Sequence, residues 1–357
     1  MTADRLYFDH AAATPLHPEA REAVTKAFDC WANPNSPYAE ARGCHKILED
    51  ARQTVKRELG WEHDLLFTSG ASEAIALAAR NTLVPRRIFG ATEHDVVPAS
   101  FGPDAIKLRV GQDGLIDEDA LAAALQGEPA LVGVQLVNNE TGVIQPIDAI
   151  REAVHAAGSL LLCDAAQAGG KIDLPDADMI AISAHKLGGP PGIGALLVKD
   201  LTTLKPVGGQ EKGYRRGTQN VPAAAGFAAA LEAGRYRDAM SRHKNLRERL
   251  ENAVKERGGV IIAERAPRIP TIGGIAFPGT KAPTLLVQLD LAGVAVSAGS
   301  ACSSGAMKGS RVVGEMGVDP AVHEAFIRVS FGPNTTEADV DDLLARLDTI
   351  LKRARAA

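Results

Sequence analysis

The run ISAHKLGGPPGIG, residues 182–194, places one lysine, Lys186, directly after an apolar strand-like stretch and directly before a glycine-proline turn. Open α/β sheets bind ligands beyond the carboxyl ends of their strands. An amine held there, beside Ser183 and His185, suits a Schiff base to an aldehyde cofactor. The bland alternative is a surface lysine in a polar turn. Asp164 closes another apolar run, LLLCD. A carboxylate there is costly to bury without a partner. It could face a protonated pyridine nitrogen, or it could simply cap a helix. Gln167, three residues on, could hydrogen-bond a ring oxygen. His94, in TEHDVV, could stack on a ring or move a proton, although a lone histidine is often structural.

The turn SGASEA, residues 69–74, offers small residues ahead of a helical run. Such a helix start directs N–H groups and the positive end of its dipole at an anion, and Ser72 adds a hydroxyl. An ordinary capped helix is the alternative. No GxGxxG follows a first strand and no GxxxxGK[ST] is present, so nucleotide cradles find little support. Cys302 lies in SAGSACSSGAMKGS, a run of small residues with almost no apolar content. A structural cysteine sits among apolar neighbours, as Cys163 does in LLLCD, whereas Cys302 is placed to be a nucleophile if its pKa falls. Arg328 interrupts the apolar run FIRVSFG and suits bidentate capture of a carboxylate, or a structural ion pair. Asn138 and Asn139 follow LVGVQLV, again at a strand end, where they could hold a carboxylate or begin a turn.

These groups need a scaffold that gathers strand ends. The 357 residues, 45% hydrophobic and 23% charged, suffice for two domains with a large core. Short apolar runs at Leu131–Val137, Leu160–Cys163, Met179–Ser183 and Ile193–Val198 alternate with helix-like segments, which predicts a buried, mostly parallel sheet. Helical spacing covers Pro18–Asp29, Ala39–Leu59, Ser72–Arg80 and Ile147–Gly158. Beyond about residue 230 the rhythm changes to a smaller α+β pattern, ending in a helix from Glu337. The boundaries expected are a large α/β domain over 16–235 and a small α+β domain from 1–15 and 236–357. A formal charge of −5 advertises neither nucleic acid nor anionic membrane. No stretch approaches a membrane span, and the N-terminus lacks a signal-peptide pattern. The four cysteines, Cys30, Cys44, Cys163 and Cys302, are widely spaced without a CxxC pair, so neither a disulfide framework nor a zinc site is expected and a reduced cytoplasm is the natural setting. Cys30 and Cys44 read as structural residues in helical patterns.

The pieces occur in a recognisable order. From YFDHAAATP through NPNSPYAEAR, LLFTSGASEA, TEHDVV, VNNETGVIQPI, CDAAQAGGKI, ISAHKLGGPPGIGALLV, RRGTQNV and SAGSACSSG to IRVSFGPNTTEADVD, the chain resembles the cysteine desulfurases of the class V aminotransferase family, in the subgroup with a short cysteine loop. The resemblance covers nearly the whole chain and implies a pyridoxal 5'-phosphate-dependent enzyme of fold type I, acting in iron–sulfur cluster or other sulfur-transfer pathways. It implies Lys186 as the Schiff-base lysine and proton carrier, Asp164 facing the pyridine nitrogen, Gln167 the phenolic oxygen and His94 stacked on the ring. Ala71, Ser72, Ser183 and His185 would hold the phosphate, and Thr218 would reach the phosphate of a neighbouring subunit in a homodimer. Arg328 and Asn139 would bind the substrate carboxylate, and Cys302 would attack the sulfur of L-cysteine, leaving alanine and a persulfide for an acceptor protein. The chain departs from its relatives at Ile75 and Ala76, at Tyr38, at Pro333 and in a contracted segment between His94 and Gly114. Another pyridoxal-phosphate reaction, such as selenocysteine lysis or transamination, would also need Lys186 but would tolerate loss of Cys302. A non-catalytic protein on the same fold would need neither.

Overall fold

The computed structural model describes residues 5–299 and 309–356. Its strands, in chain order, are β1 (Leu6–Tyr7), β2 (Asp64–Thr68), β3 (Arg86–Gly90), β4 (Ile106–Leu108), β5 (Ala130–Gln135), β6 (Leu160–Asp164), β7 (Met179–Ser183), β8 (Gly194–Val198), β9 (Val260–Ile261), β10 (Ile272–Ala276), β11 (Val294–Ala295) and β12 (Phe326–Ser330). Seven of them form one sheet in the order β2-β8-β7-β6-β5-β3-β4. β8 alone runs opposite to the other six strands. Every residue of β5, β7 and β8 is buried, which is why these strands read as unbroken apolar runs rather than alternating ones.

Register brings the strand ends together. Gln135 at the end of β5 pairs with Asp164 at the end of β6, and Asp164 with Ala181 near the end of β7. Gly194 pairs with both Ser183 and Thr68, so the turn after β2 opens at the same edge. A Cβ on Gly194 would lie 2.6 Å from the Gly70 Cα, so only glycine permits this approach.

Helices cover the sheet. Pro18–Ala27 opens with proline at its first position and a glutamate in its first turn, both favourable there. It and Ala39–Glu58 pack against Val221–Glu232, whose small side chains allow close contact: a Cβ on Gly226 would lie 2.5 Å from Val24 Cγ2. That alanine-rich helix is buried on most sides, so its sequence carries little amphipathic signal.

The second cluster of strands is small. β10 lies antiparallel between β12 and β9, backed by Arg235–Glu256 and Glu337–Ala356, with Leu246, Ile275, Val329 and Leu343 in its core. The N-terminal segment joins it: β1 runs parallel to β11, Asp9 bridges Ser330, and Phe8 enters the same core.

Two expectations drawn from the cysteine spacing fail, the helical placement of Cys30 and the absence of a disulfide. Cys30 lies in the turn after the Pro18–Ala27 helix rather than within it, and it forms a disulfide with Cys44, with Cα atoms 5.5 Å apart. The turn folds back onto the next helix, so residues 14 apart in sequence meet. Cys163 is buried and free, as expected. Cys302 lies outside the described residues. Among the described residues, no helix is long and apolar enough to cross a membrane.

Candidate active site

At the carboxyl edge of the large sheet lies a cavity of about 400 Å³. Ala71, Ser72, His94, Asn139, Asp164, Gln167, Ser183, His185, Lys186 and Arg328 all line it. Elements far apart in sequence thus converge on one space. Thr218 does not line it and sits on an exposed loop.

Lys186 occupies a short 3-10 turn directly after β7. Its Nζ donates to the carbonyls of Ala11 and Ala12 at 2.7 and 2.8 Å, which hold the amine at the cavity wall. Asp164 is 4% exposed and receives the Ala166 N–H at 2.9 Å. Burial raises its pKa, while the Ala166 N–H, His94 and Lys186 oppose that rise. A buried carboxylate in this setting gains from a positively charged ligand atom. Val96 N donates to His94 Nδ1 at 3.2 Å, which leaves Nε2 to carry the ring proton.

One end of the cavity is built from the turn Ser69–Ser72 and the first turn of the helix Ala71–Asn81. Ser183 Oγ and His185 Nδ1 are 2.9 Å apart. Burial, with Lys186 and Lys171 nearby, lowers the His185 pKa to about 4, so it is neutral at neutral pH. Glu73 braces the turn: it accepts the Ser69 N–H at 2.5 Å and the Arg215 Nε at 2.7 Å. Burial would raise its pKa, but the Arg215 pair and the Ser69 N–H win and lower it.

Arg328, on β12, is 2% exposed. Its Nη1 donates to the backbone carbonyl of Asn139 at 2.8 Å and its Nη2 pairs with Asp9 at 2.6 Å. Its Nε is buried and has no hydrogen-bond partner among the described residues. An unsatisfied buried guanidinium N–H is costly, and an incoming carboxylate would relieve it. Asn139 touches Arg328 through its backbone, while its side-chain oxygen accepts from Gln135 Nε2 at 3.3 Å.

Some members of the site were not legible beforehand. Asp9 orients Arg328 from the opposite end of the chain. Glu93, beside His94, is fully buried and its pKa is raised well above the usual value by desolvation, while its Oε1 accepts the Gln135 N–H at 2.8 Å. The carboxylate in TEHDVV, next to a candidate histidine, was the available signal.

The donor set fits pyridoxal phosphate: an amine, a buried carboxylate, an imidazole and a helix start share one cavity, beside a guanidinium N–H without a partner among the described residues. The sequence profile of the class-V aminotransferase family (Aminotran_5) matches residues 6–343. The chain belongs to the class-V aminotransferase family. Relatives within the family include a cysteine desulfurase of Cereibacter sphaeroides, 35% identical across 99% of this chain and 97% of the relative. An IscS-like cysteine desulfurase of Mycobacterium tuberculosis is 34% identical across 98% of this chain and 97% of the relative. A solved NifS-like protein of Rickettsia africae superposes with a TM-score of 0.89 at 29% identity, covering 98% of this chain and 99% of that one. A solved SspA in complex with cysteine superposes with a TM-score of 0.80 at 28% identity, covering 93% and 100%. The fold is that of the NifS-like, fold-type-I enzymes: a large, mostly parallel sheet flanked by helices.

Proposed function

We propose that this chain is a pyridoxal 5'-phosphate-dependent cysteine desulfurase that removes sulfur from L-cysteine, releases L-alanine and leaves a persulfide on Cys302 for an acceptor. The observation that carries this reading is the convergence of Lys186, Asp164, His94 and Arg328 on one cavity. Family members named cysteine desulfurase over nearly the full chain support the choice of substrate.

Bound pyridoxal phosphate would act as an electron sink that eases loss of the Cα proton. Lys186 would hold the cofactor and, once released, move the proton at Cα. Asp164 would keep the pyridine nitrogen protonated, His94 would stack on the ring and Gln167 would donate to its phenolic oxygen. Ala71, Ser72, Ser183 and His185 would bind the phosphate. Arg328, through its unpartnered Nε, and Asn139 would orient the substrate carboxylate. The thiolate of Cys302 would attack the substrate sulfur: the C–S bond breaks, an S–S bond forms at Cys302, and the substrate carbon takes a proton to become alanine.

In this reading residues 16–235 bind the cofactor, and residues 1–15 with 236–357 carry the cysteine loop. The protein works in the cytoplasm as a homodimer, with Thr218 reaching the neighbouring subunit's phosphate, and hands sulfur to an acceptor protein. The test is mass spectrometry of the Cys302 peptide after cofactor-loaded protein meets L-cysteine without reductant. One added sulfur atom, with alanine formed, is expected. An unmodified Cys302 in a yellow, loaded protein would transfer the assignment to another amino-acid reaction.

A further inference from the structure

Lys171 belongs to none of the roles above, yet it is 3% exposed. It lies in the succession of turns after β6 that also carries Gln167, four residues earlier. Its Nζ donates to Gln167 Oε1 at 3.3 Å and lies 4.7 Å from the ring centroid of Tyr236. Burial, with the cations Lys186 and Arg328, pushes its pKa down to about 7. His10, His185 and His243 face it as well, and its charge helps hold each of them neutral. Burying a cation among cations costs free energy unless its contacts return something.

Gln167 shows what is returned. Its Nε2 donates to the Ala11 carbonyl at 2.8 Å. The same carbonyl accepts from Lys186 Nζ at 2.7 Å. An ammonium, the form Lys171 takes below about pH 7, can meet only the oxygen of an amide, and a carbonyl can meet only its NH2 group. Rotating the Gln167 amide by half a turn would set NH2 against the ammonium and oxygen against oxygen. The two contacts therefore select a single orientation. One hydrogen of the NH2 group goes to Ala11, and the second is left for an acceptor in the cavity that Gln167 lines.

We propose that Lys171 is a positioning residue of this site: its ammonium, against Gln167 Oε1, holds the Gln167 amide with its NH2 group available to an anionic ring oxygen in the cavity. The inference rests on the cofactor reading above. A donor to that oxygen stabilises its anion and weakens its hold on a proton shared with the neighbouring nitrogen. With the cofactor held by Lys186, losing the donor would raise the pH at which the visible absorbance changes.

The test is a pH titration of the visible absorbance of cofactor-loaded protein, with cofactor affinity measured beside it. Lys171→Met keeps side-chain volume and removes the charge. Its midpoint is expected to rise by about one pH unit, the equivalent of about 1.4 kcal/mol. Lys171→Arg, which keeps the charge, is expected to restore most of that shift. Gln167→Met, with Lys171 intact, is expected to rise in the same way, and the double variant no further than the larger single. A purely structural lysine would change thermal stability and leave the midpoint in place. An unchanged midpoint in loaded Lys171→Met overturns the proposal, as does an unchanged midpoint in Gln167→Met should Lys171→Met fail to fold. A full additional shift in the double variant shows that Lys171 acts through its own charge, which also overturns it. Failure of the unaltered protein to gain visible absorbance with pyridoxal phosphate would instead sink the cofactor reading.

Discussion

The Arg328 guanidinium and the Asp9 carboxylate meet at 2.6 Å across a sequence separation of 319 residues. Asp9 occupies one terminal nitrogen and the Asn139 carbonyl the other, and among the described residues Nε has no partner. The pair turns a buried cation into an oriented one.

Asp9→Asn removes the charge while keeping an acceptor of the same size. Hydrogen bonds to charged groups contribute about 1.5–3 kcal/mol. The variant is therefore expected to raise KM for L-cysteine about tenfold or more, with a smaller effect on kcat. Steady-state kinetics on the loaded enzyme check this, and an unchanged KM would remove Asp9 from the substrate site.

Gly194→Ala tests the close approach beneath the anion turn. Its Cβ would fall 2.3 Å from the Ile182 carbonyl and 2.6 Å from Gly70 Cα, both backbone atoms that cannot rotate away. Overpacking of this kind costs about 1–3 kcal/mol. Denaturant unfolding should show that loss, and cofactor affinity should fall with it because Gly70 moves. Wild-type affinity in a destabilised variant would disconnect this contact from the anion site.

Arg52 and Glu211 form a buried pair. Arg52 Nη1 and Nη2 reach the carboxylate at 2.7 and 3.1 Å, and Phe67 N and Gln219 Nε2 also donate to it. Glu211 and Lys212 adopt positive φ, so the loop that carries Thr218 is held in a strained path by this carboxylate. Arg52→Leu strands the Glu211 charge and is expected to cost about 3–5 kcal/mol. Thermal or urea unfolding reads it directly. A loss below about 1 kcal/mol, the range of a surface pair, would refute the account.

Acid sensitivity follows from His17. Its two ring nitrogens have no hydrogen-bond partners among the described residues, and burial, aided by Arg235, lowers its pKa from 6.5 to about 4. Between those values the unfolded chain holds a proton that the folded chain refuses. Stability contributed by the neutral ring is thus complete above about pH 6.5 and is lost as pH falls toward about 4. His17→Asn should make the decline of unfolding free energy across that window shallower by up to about one proton. A slope identical to the parent protein would show that His17 binds its proton equally in the folded and unfolded states.

Much of the site was legible locally. A lysine after β7, an aspartate ending β6 and a small-residue turn after β2 announce themselves because strand ends in a parallel sheet share an edge, so each local pattern already implies a common location. Unbroken apolar runs likewise identified the buried strands. The boundaries shifted by a residue or two, and the alanine-rich helix Val221–Glu232 went unmarked because burial on most sides erases its periodicity.

Other relationships required the closed fold. No local pattern pairs Asp9 with Arg328, Cys30 with Cys44, or Lys171 with an amide whose orientation it selects. Side-chain type and spacing determine which chemistry a strand end can offer. Which donor remains unpartnered, and which buried charge is held by what, depends on contacts whose separation in sequence carries no periodic signal. The sequence by itself therefore determined which candidate groups stand at the strand ends and the sheet that gathers them. Tertiary packing alone decided their orientation, because burial removes the water that would otherwise satisfy each group and leaves only the partners that the fold supplies.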